Sequence, residues 1–290
     1  WKKVPKWLLD PSGPLSIRWS YFPRMLPWLV EFLKSGSVEK LPAIADAMLN
    51  LNRPNLDLYK QLLKGTGHEN LIEDCSYVFV TRSKTKMNLE TLEWQLRRER
   101  GVPIQAITGD EARELEPDLS PSIQNGVLIN GQGRTTNPGR LGKVIAEKAI
   151  AQGVKYFKAE VKRIVPLTNG GYEIVTDNGN KQASKLVLTA GVWSAKLLKD
   201  FGVNVLLEAE RGYHLIFKEP DVTLKNSILD ADNKFVSSSM EMGMRSAGTA
   251  EFAGVDAPPN YKRALIFKDH AKSLFPKLNT SSVQEWMGRR

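Results

Sequence analysis

A short apolar run that ends at a glycine and leads into a helix is the feature that most constrains this 290-residue chain. The run covers residues 186–190, the glycine is Gly191, and residues 192–198 have the composition of a helix. Because glycine has no Cβ, a planar or phosphorylated group can approach the backbone there. The pattern predicts a strand that delivers backbone to a cofactor, although an ordinary strand end has the same residues.

Charge and composition limit the classes of function. Hydrophobic content of 41% and charged content of 25% are typical of a soluble globular protein. The net charge of +9 leaves a nucleic acid, a membrane surface or an acidic ligand open as partners. The basic residues are scattered, however, so we expect a solvated basic surface and no nucleic-acid partner. No apolar segment reaches transmembrane length and no signal peptide is visible, so we expect a cytoplasmic protein.

The cysteine and histidine content argues against two kinds of site. Cys75 is the single cysteine, which excludes an internal disulfide and favours a reducing compartment. The three histidines, His68, His214 and His270, are widely spaced, and none has a Cys or His partner at ligand spacing. We therefore expect no metal site.

Residues 1–34 combine aromatic, basic and proline residues. Four of the seven tryptophans fall here, namely Trp1, Trp7, Trp19 and Trp28. Aromatic rings beside basic side chains suit a membrane–water interface, which predicts a peripheral contact with the inner membrane. A proline-broken segment whose aromatic rings pack on the body of the protein has the same composition and stays open.

Hydrophobic periodicity predicts alternating helices and strands with no internal repeat. The predicted helices cover residues 38–63 with a break at Pro54, then 89–100, 110–117, 138–152 and 264–275. The predicted strands cover residues 75–81, 126–129, 154–157, 159–165, 203–207, 211–217, 226–229, 235–238 and 244–252. A further hairpin is predicted between residues 172–176 and 184–189, through a turn at residues 177–180.

Residues 130–133 carry a Gly-x-Gly that resembles part of a dinucleotide-binding loop. The third glycine of that loop is missing, because position 136 is Thr136. Asn137 and Pro138 instead have the character of an N-cap and a first helical turn. We therefore predict a loop between domains at residues 130–133 in place of a phosphate site.

Four short motifs occur in order along the chain. They are Thr-Ala-Gly-Val-Trp-Ser at 189–194, Glu-Arg-Gly-Tyr-His at 210–214, Gly-Thr-Ala-Glu-Phe-Ala-Gly at 248–254 and Trp-Met-Gly-Arg-Arg at 286–290. No single motif is specific, but together the chain resembles the flavin-dependent amine oxidoreductases of the D-amino-acid oxidase and glycine oxidase family. The resemblance is greatest to the bacterial D-amino-acid dehydrogenases and extends over most of the chain.

The resemblance implies an α/β (α+β) fold with an FAD/NAD(P)-binding-type flavin domain, here incomplete, and an antiparallel-sheet substrate domain. Residues 1–74 would be a helical connecting segment. Residues 75–137 and 205–290 would be the two parts of the substrate domain, and residues 138–204 the middle part of the FAD-binding domain.

The function implied by the resemblance is FAD-dependent oxidative deamination of D-amino acids to 2-oxo acids and ammonia. Electrons would pass to a respiratory quinone or another acceptor. Other flavin amine oxidoreductases, similar to glycine oxidase or sarcosine oxidase, stay open. So does a non-catalytic basic module that binds membranes or nucleic acid.

Site residues follow from the same resemblance. The motif at 286–290 places Arg290 where the family binds the substrate carboxylate, and Tyr213 and His214 are the further candidate catalytic residues. The candidate cofactor-binding residues are Val161, Thr189, Ala190, Gly191 and Trp193. On a strand, Arg289 and Arg290 would point to opposite faces.

The first residue is Trp1 and not Met, which suggests that the chain is cut or only partly represented. The glycine fingerprint of the family normally lies near its N-terminus, and no such loop is present. We therefore expect this chain, truncated at both ends, to hold FAD poorly and to be inactive on its own.

Overall fold

A computed structural model describes Leu8, Asp10 and residues 13–168 and 170–290 of the chain. The strands are β1 (Leu15–Ile17), β2 (Ile72–Thr81), β3 (Ile104–Thr108), β4 (Asn125–Thr135), β5 (Val161–Pro166), β6 (Tyr172–Thr176), β7 (Lys181–Ala183), β8 (Glu210–Phe217), β9 (Ser227–Asp230), β10 (Phe235–Met240), β11 (Gly243–Phe252) and β12 (Val283–Arg289). The helices are α1 (Phe22–Ser35), α2 (Leu41–Asn52), α3 (Asn55–Leu63), α4 (Leu92–Glu99), α5 (Gly109–Leu115), α6 (Pro138–Ala151), α7 (Ser194–Leu198) and α8 (Lys262–Leu274).

A large mixed sheet dominates the fold. Its strand order is β12-β8-β11-β10-β9-β2-β4-β3, and β1 adds to β11. The expected antiparallel sheet is found with two exceptions, because β2 pairs with β9 and β1 pairs with β11 in parallel. The expected mixture of helices with a large sheet is confirmed.

Strand β8, which lies next to the edge strand β12, has one buried and one open face. Arg211, Tyr213, Leu215 and Phe217 point into the core, which α8 covers with Ala264, Phe267 and Ala271. The intervening residues are half-buried on the other side. This alternation follows from the two-residue period of a strand, and it determines which side chains can meet a ligand.

A buried polar network ties β8 to β11 on the core side. The Tyr213 hydroxyl donates to Glu251 Oε2 at 2.5 Å and accepts from the Asn260 N–H at 2.9 Å. Nη2 of the fully buried Arg211 donates to the Pro258 carbonyl at 2.9 Å. Removing one partner would leave the others unsatisfied, which costs about 1–3 kcal/mol per group.

The strand pairing joins distant parts of the chain. The residues of β2 pair with β4 on one side and with β9 on the other, so residues 75–129 and 205–288 contribute to one sheet. This is the pairing that the proposed two-part substrate domain requires. The domain boundaries themselves, 1–74, 75–137, 138–204 and 205–290, stay predictions.

A second, three-stranded sheet is formed by residues that lie between these two parts in the sequence. Its order is β5-β6-β7, and all its pairs are antiparallel. The predicted hairpin through residues 177–180 forms, but its second strand is β7 and not residues 184–189. Gly179 occupies the turn with φ +80°, a conformation that favours glycine.

Three predicted strands are wrong. Residues 154–157, 184–189 and 203–207 are irregular, and none of them joins a ladder with another described residue. Many of their side chains are exposed to solvent, and Val187 is 83% exposed. A strand requires a neighbour for its backbone hydrogen bonds, and β-branched composition does not supply one.

The predicted interdomain loop at residues 130–133 is also wrong, because these residues lie inside β4. The register pairs Ile129 with Tyr77 and Gln132 with Cys75, so two residues of β4 oppose Ser76 alone. Gly131, with φ +69°, provides the positive φ of this β-bulge. The Gly-x-Gly sequence at residues 131–133 therefore belongs to a strand with a β-bulge.

The aromatic N-terminal segment has two environments. Trp28 stacks on Phe32 and packs against Phe252 of β11, as expected for aromatics on the body of the protein. Trp19 is 66% exposed. Trp1 and Trp7 lie outside the described residues.

Candidate active site on the open face of the large sheet

The face of β8 opposite the core carries a stripe of side chains that we call the open face. Its members from β8 are Gly212, His214 and Ile216. Their register partners are Arg245, Ala247 and Ala250 of β11 and Gln284, Trp286 and Gly288 of β12. Residues directly opposite each other in antiparallel strands share a face. The open face therefore assembles three of the four motifs that the sequence singled out.

A stacked pair of rings forms the centre of the open face. The His214 imidazole and the Trp286 indole are 4.7 Å apart between centroids, with an interplanar angle of 13°. The indole lies over Gly288, where an ideal Cβ would come within 2.1 Å of its Cη2 atom. Glycine at 288 is thus required by the position of the indole.

Arg290 lies at the end of this stripe. Its backbone N–H and carbonyl both pair with Glu210, at 2.9 and 2.8 Å, and its Nη2 contacts Glu210 Oε1 at 2.8 Å. The guanidinium passes over Gly212, 3.2–3.3 Å from an ideal Cβ. Arg289 is on the opposite side and donates from Nε to the Val255 carbonyl. The structure thus places the two arginines on opposite faces.

Arg245 is a candidate that the sequence analysis missed. It stands opposite Ile216 on one side and Ser238 on the other, and it is half-buried. Among the described residues, no ion pair involves Arg245. Burial lowers the pKa of this guanidinium, and the positive charge of Arg290 adds to the effect. Extending the alternation from His214 across the strand pair would have identified it.

His214 is held in its neutral form. Burial lowers the pKa of the imidazole to about 4, and the positive charge of Arg245 contributes. At neutral pH the open face therefore presents two guanidinium groups, a neutral imidazole and a flat indole. Such a set suits an anionic ligand with a planar group nearby. The described residues contain no cluster of His, Cys, Asp or Glu that could hold a metal ion.

Tyr213 does not share the open face. It is 1% exposed, and its hydroxyl is occupied by Glu251 and Asn260. Because neighbours on a strand point to opposite sides, the structure does not bring the candidate catalytic residues Tyr213 and His214 together on one face, and their catalytic roles stay predictions. In this arrangement Tyr213 is a core residue that fixes β8 to β11.

The candidate cofactor residues lie in the smaller sheet and the segment that follows it. Val161 begins β5 and pairs with Thr176, and α7 packs against β5. Thr189 and Ala190 are irregular, and Gly191 begins the 3₁₀ turn Gly191–Trp193 that leads into α7. The contacts of these residues with a cofactor stay predictions.

The region around Gly191 fits the approach of a planar group. Gly191 has φ +54°, and an ideal Cβ there meets no atom within 4 Å, so its backbone is accessible. The side chain of Trp193 beside it is about half exposed.

The glycine-bearing segment before α6 does not fit a phosphate. The Asn137 side chain caps the helix by accepting from the Arg140 N–H at 3.0 Å, and its Nδ2 donates to Glu241 at 2.9 Å. A carboxylate at this helix end repels an anion. The described residues contain no other glycine-rich loop that opens a helix.

The sequence profile of the DAO family, described as FAD dependent oxidoreductase, matches residues 16–290. The chain belongs to this family. This FAD-dependent oxidoreductase therefore has FAD as its cofactor, and the family expected from the four motifs is confirmed.

Two relatives illustrate the similarity of this FAD-dependent oxidoreductase to curated proteins. A D-amino-acid oxidase of Bradyrhizobium diazoefficiens is 37% identical over 295 residues, covering 100% of this chain and 70% of the relative. A D-amino acid dehydrogenase of Dechloromonas aromatica is 28% identical over 307 residues, covering 99% of this chain and 72% of the relative.

A solved structure gives the same fold. Glycine oxidase from Geobacillus kaustophilus superposes with a TM-score of 0.66 at 19% identity, covering 88% of this chain and 68% of the other. At this level of identity the likeness concerns the fold. Within the described part of the oxidoreductase, no helix is both long and apolar enough to cross a bilayer.

The neutral state of His214 predicts a pH-dependent stability. The pKa of the folded imidazole, about 4, lies below the ordinary value of 6.5. As the pH falls from 6.5 to 4, the unfolded chain takes up a proton that the folded chain refuses, so stability falls in this window. The full shift corresponds to about 3 kcal/mol, and partial solvent access reduces this to about 1 kcal/mol.

Denaturant unfolding of wild type and His214→Phe between pH 8 and 4.5 measures this effect. The phenyl ring keeps the stack on Trp286 but cannot bind a proton. We expect the wild type to lose about 1 kcal/mol more than the variant on acidification. Parallel pH profiles of the two proteins would contradict a depressed pKa at His214.

Proposed function

We propose that this oxidoreductase deaminates D-amino acids oxidatively to 2-oxo acids and ammonia, with the substrate on the open face. The observation that carries the proposal is the exposed Arg290 guanidinium, beside a neutral imidazole, in a chain whose similar relatives are named as D-amino-acid oxidase and dehydrogenases. An amino acid carries a carboxylate and an amine on one carbon. The carboxylate matches the guanidinium, and the amine matches the imidazole.

Arg290 would bind the substrate carboxylate. Glu210 engages only its Nη2, and the described residues offer no acceptor to Nε or Nη1. A guanidinium with free N–H groups can grip a carboxylate through two parallel hydrogen bonds. The ion pair with Glu210 and the room over Gly212 hold the guanidinium in place before the substrate arrives.

His214 and Trp286 would position the amine and exclude water. The neutral imidazole can accept a hydrogen bond from the substrate amine, which must be uncharged when the hydride leaves. With its low pKa, His214 orients the amine and does not retain a proton from it. The stacked indole screens this side from solvent. Bound FAD would supply the oxidising chemistry, namely acceptance of the hydride from the α-carbon.

The electron acceptor is proposed to be a respiratory quinone. Six of the similar relatives are named as D-amino acid dehydrogenases, which supports an acceptor other than oxygen. A second candidate is an oxidase, favoured by the relative that is 37% identical.

Turnover of the flavin-loaded holoenzyme tests the proposal. The panel consists of D- and L-amino acids, glycine and sarcosine, each with oxygen or with a soluble quinone analogue. We expect ammonia from D-amino acids and faster turnover with the quinone. Turnover of glycine or sarcosine alone would replace the proposed substrate class, and hydrogen peroxide as the main product would establish the oxidase.

Arg290→Ala should raise KM and lower kcat for D-amino acids, because the bidentate contact is lost and the substrate is misplaced. We expect kcat/KM to fall at least about tenfold. Arg289→Ala is the matched control, since Arg289 contacts Val255 on the other face, and its effect should be much smaller. Unchanged kinetics in Arg290→Ala would remove the proposed carboxylate site.

A peripheral contact with the inner membrane is part of the proposal. Trp19 is 66% exposed, and Leu26 and Val30 of α1 are 41% and 46% exposed. The basic residues Arg18 and Arg24 are exposed beside them. Apolar rings and basic side chains on one segment suit an anionic bilayer surface.

Co-sedimentation with phosphatidylglycerol vesicles measures this contact. Trp19→Ser should reduce the bound fraction, because an interfacial ring is lost. Val187→Ser removes an apolar side chain that is even more exposed, at 83%, but lies elsewhere, and it should leave binding unchanged. An absence of binding, or equal losses in both variants, would contradict a membrane contact through this segment.

A further inference from the structure

Arg245 is a half-buried arginine of the open face, and among the described residues its charge has no counter-ion. Arg134, also half-buried, pairs with Glu73 at 3.0 Å, and Arg140 pairs with Glu241 at 2.7 Å. No carboxylate of the described residues lies within ion-pair distance of Arg245. A charge that is partly removed from water without a partner lowers stability, and a charged group in such surroundings is a candidate for ligand binding.

The position of Arg245 places this charge on the proposed substrate stripe. Arg245 stands opposite Ile216, four residues along β8 from Gly212, over which the Arg290 guanidinium lies. At about 3.3 Å per residue, these two levels of the sheet are about 13 Å apart. The stack of His214 on Trp286 fills the interval between them. The three groups therefore form a line along one face.

A substrate with a single carboxylate would leave one of the two guanidinium charges along this line without an anionic partner. Arg290 shares its charge with Glu210, whereas Arg245 has only uncharged neighbours in register, Ile216 and Ser238. A neutral side chain at this end would leave the guanidinium unpaired in the complex as well. A second carboxylate would compensate the charge and gain charge-assisted hydrogen bonds.

We propose that Arg245 determines specificity by binding a side-chain carboxylate, so that the preferred substrates are acidic D-amino acids. This inference rests on the proposed function, with Arg290 on the α-carboxylate. Its chemistry is recognition of a dicarboxylate by two guanidinium groups on either side of a neutral imidazole.

Matched substrates separate this role from general binding. D-Glutamate and D-glutamine differ in the charge of the side chain and hardly in shape, as do D-aspartate and D-asparagine. For the wild-type holoenzyme we expect kcat/KM to favour the acid. In Arg245→Met this preference should fall about 10- to 100-fold, because a hydrogen-bonded charge pair is lost, and Arg245→Lys should restore part of it.

Two outcomes would overturn the inference. If Arg245→Met leaves the acid-to-amide preference unchanged, Arg245 does not contact the side chain. If it reduces kcat/KM equally for acid and amide, both arginines grip one carboxylate. The thermal midpoint of Arg245→Met identifies a folding defect: removing an unpaired charge should leave the midpoint unchanged or raise it.

A binding measurement keeps this inference separate from the proposed function. Glutarate and pentanoate have equal chain length and differ by one carboxylate, and neither can be deaminated. Calorimetric titration of the wild type should show tighter binding of glutarate, and Arg245→Met should abolish the difference. If no amino acid is turned over but glutarate is preferred through Arg245, the proposed function fails and the dicarboxylate site stands. Equal affinities in the wild type overturn the site.

Discussion

The hydrogen bond between Tyr213 and Glu251 determines the orientation of β8, and the rest of the structure depends on that orientation. It is made in the core, where the same tyrosine also receives the Asn260 N–H. Because side chains alternate along a strand, a slip by one residue would bury His214 and expose Tyr213. Only the observed register satisfies the buried carboxylate and leaves the imidazole free to stack on Trp286.

The structure also contains polar groups that reduce its stability. Arg211 is fully buried, its Nε lies 3.5 Å from Glu251 without a hydrogen bond, and its Nη1 has no partner. Arg245 adds a second poorly compensated cation on the other side of the same strand pair. Positive charge thus concentrates around β8 and β11 on both faces. Large apolar contacts through Phe217 and Phe267 offset this cost in the core.

Much of the fold could be predicted from the sequence, because most elements have strong local signals. The helix break at Pro54, the capping residue Asn137 and the alternation of residues 211–217 each determine local structure with nearby atoms. The predictions that failed depend on whether a segment has a neighbouring strand to pair with. Residues 184–189 have the composition of a strand but no neighbour, and residues 130–133 belong to a strand because β2 pairs with them.

The candidate site was predicted from the same kind of local signal, and the roles of its residues stay predictions. Motif resemblance identified Arg290 and His214, since both lie within contiguous segments. It also included Tyr213, whose side chain points into the core, because a motif records order along the chain and not the direction of each side chain. Arg245 was missed because its relation to His214 exists only across a strand pair. Charge without a partner is a property of three-dimensional surroundings, and no spacing rule expresses it.

The paired glycines Gly212 and Gly288 limit how this surface can diverge. They face each other in register, and each is covered by a functional side chain, Arg290 on one and Trp286 on the other. Any mutation at either position adds atoms where the guanidinium or the indole now rests. Substitutions in evolution or laboratory selection are therefore expected at the other end of the open face. Ile216 and Arg245 can change there without displacing the guanidinium or the indole from the two glycines. New substrate preferences in this fold would arise by substitution of Ile216 and Arg245 while the two glycines stay constant.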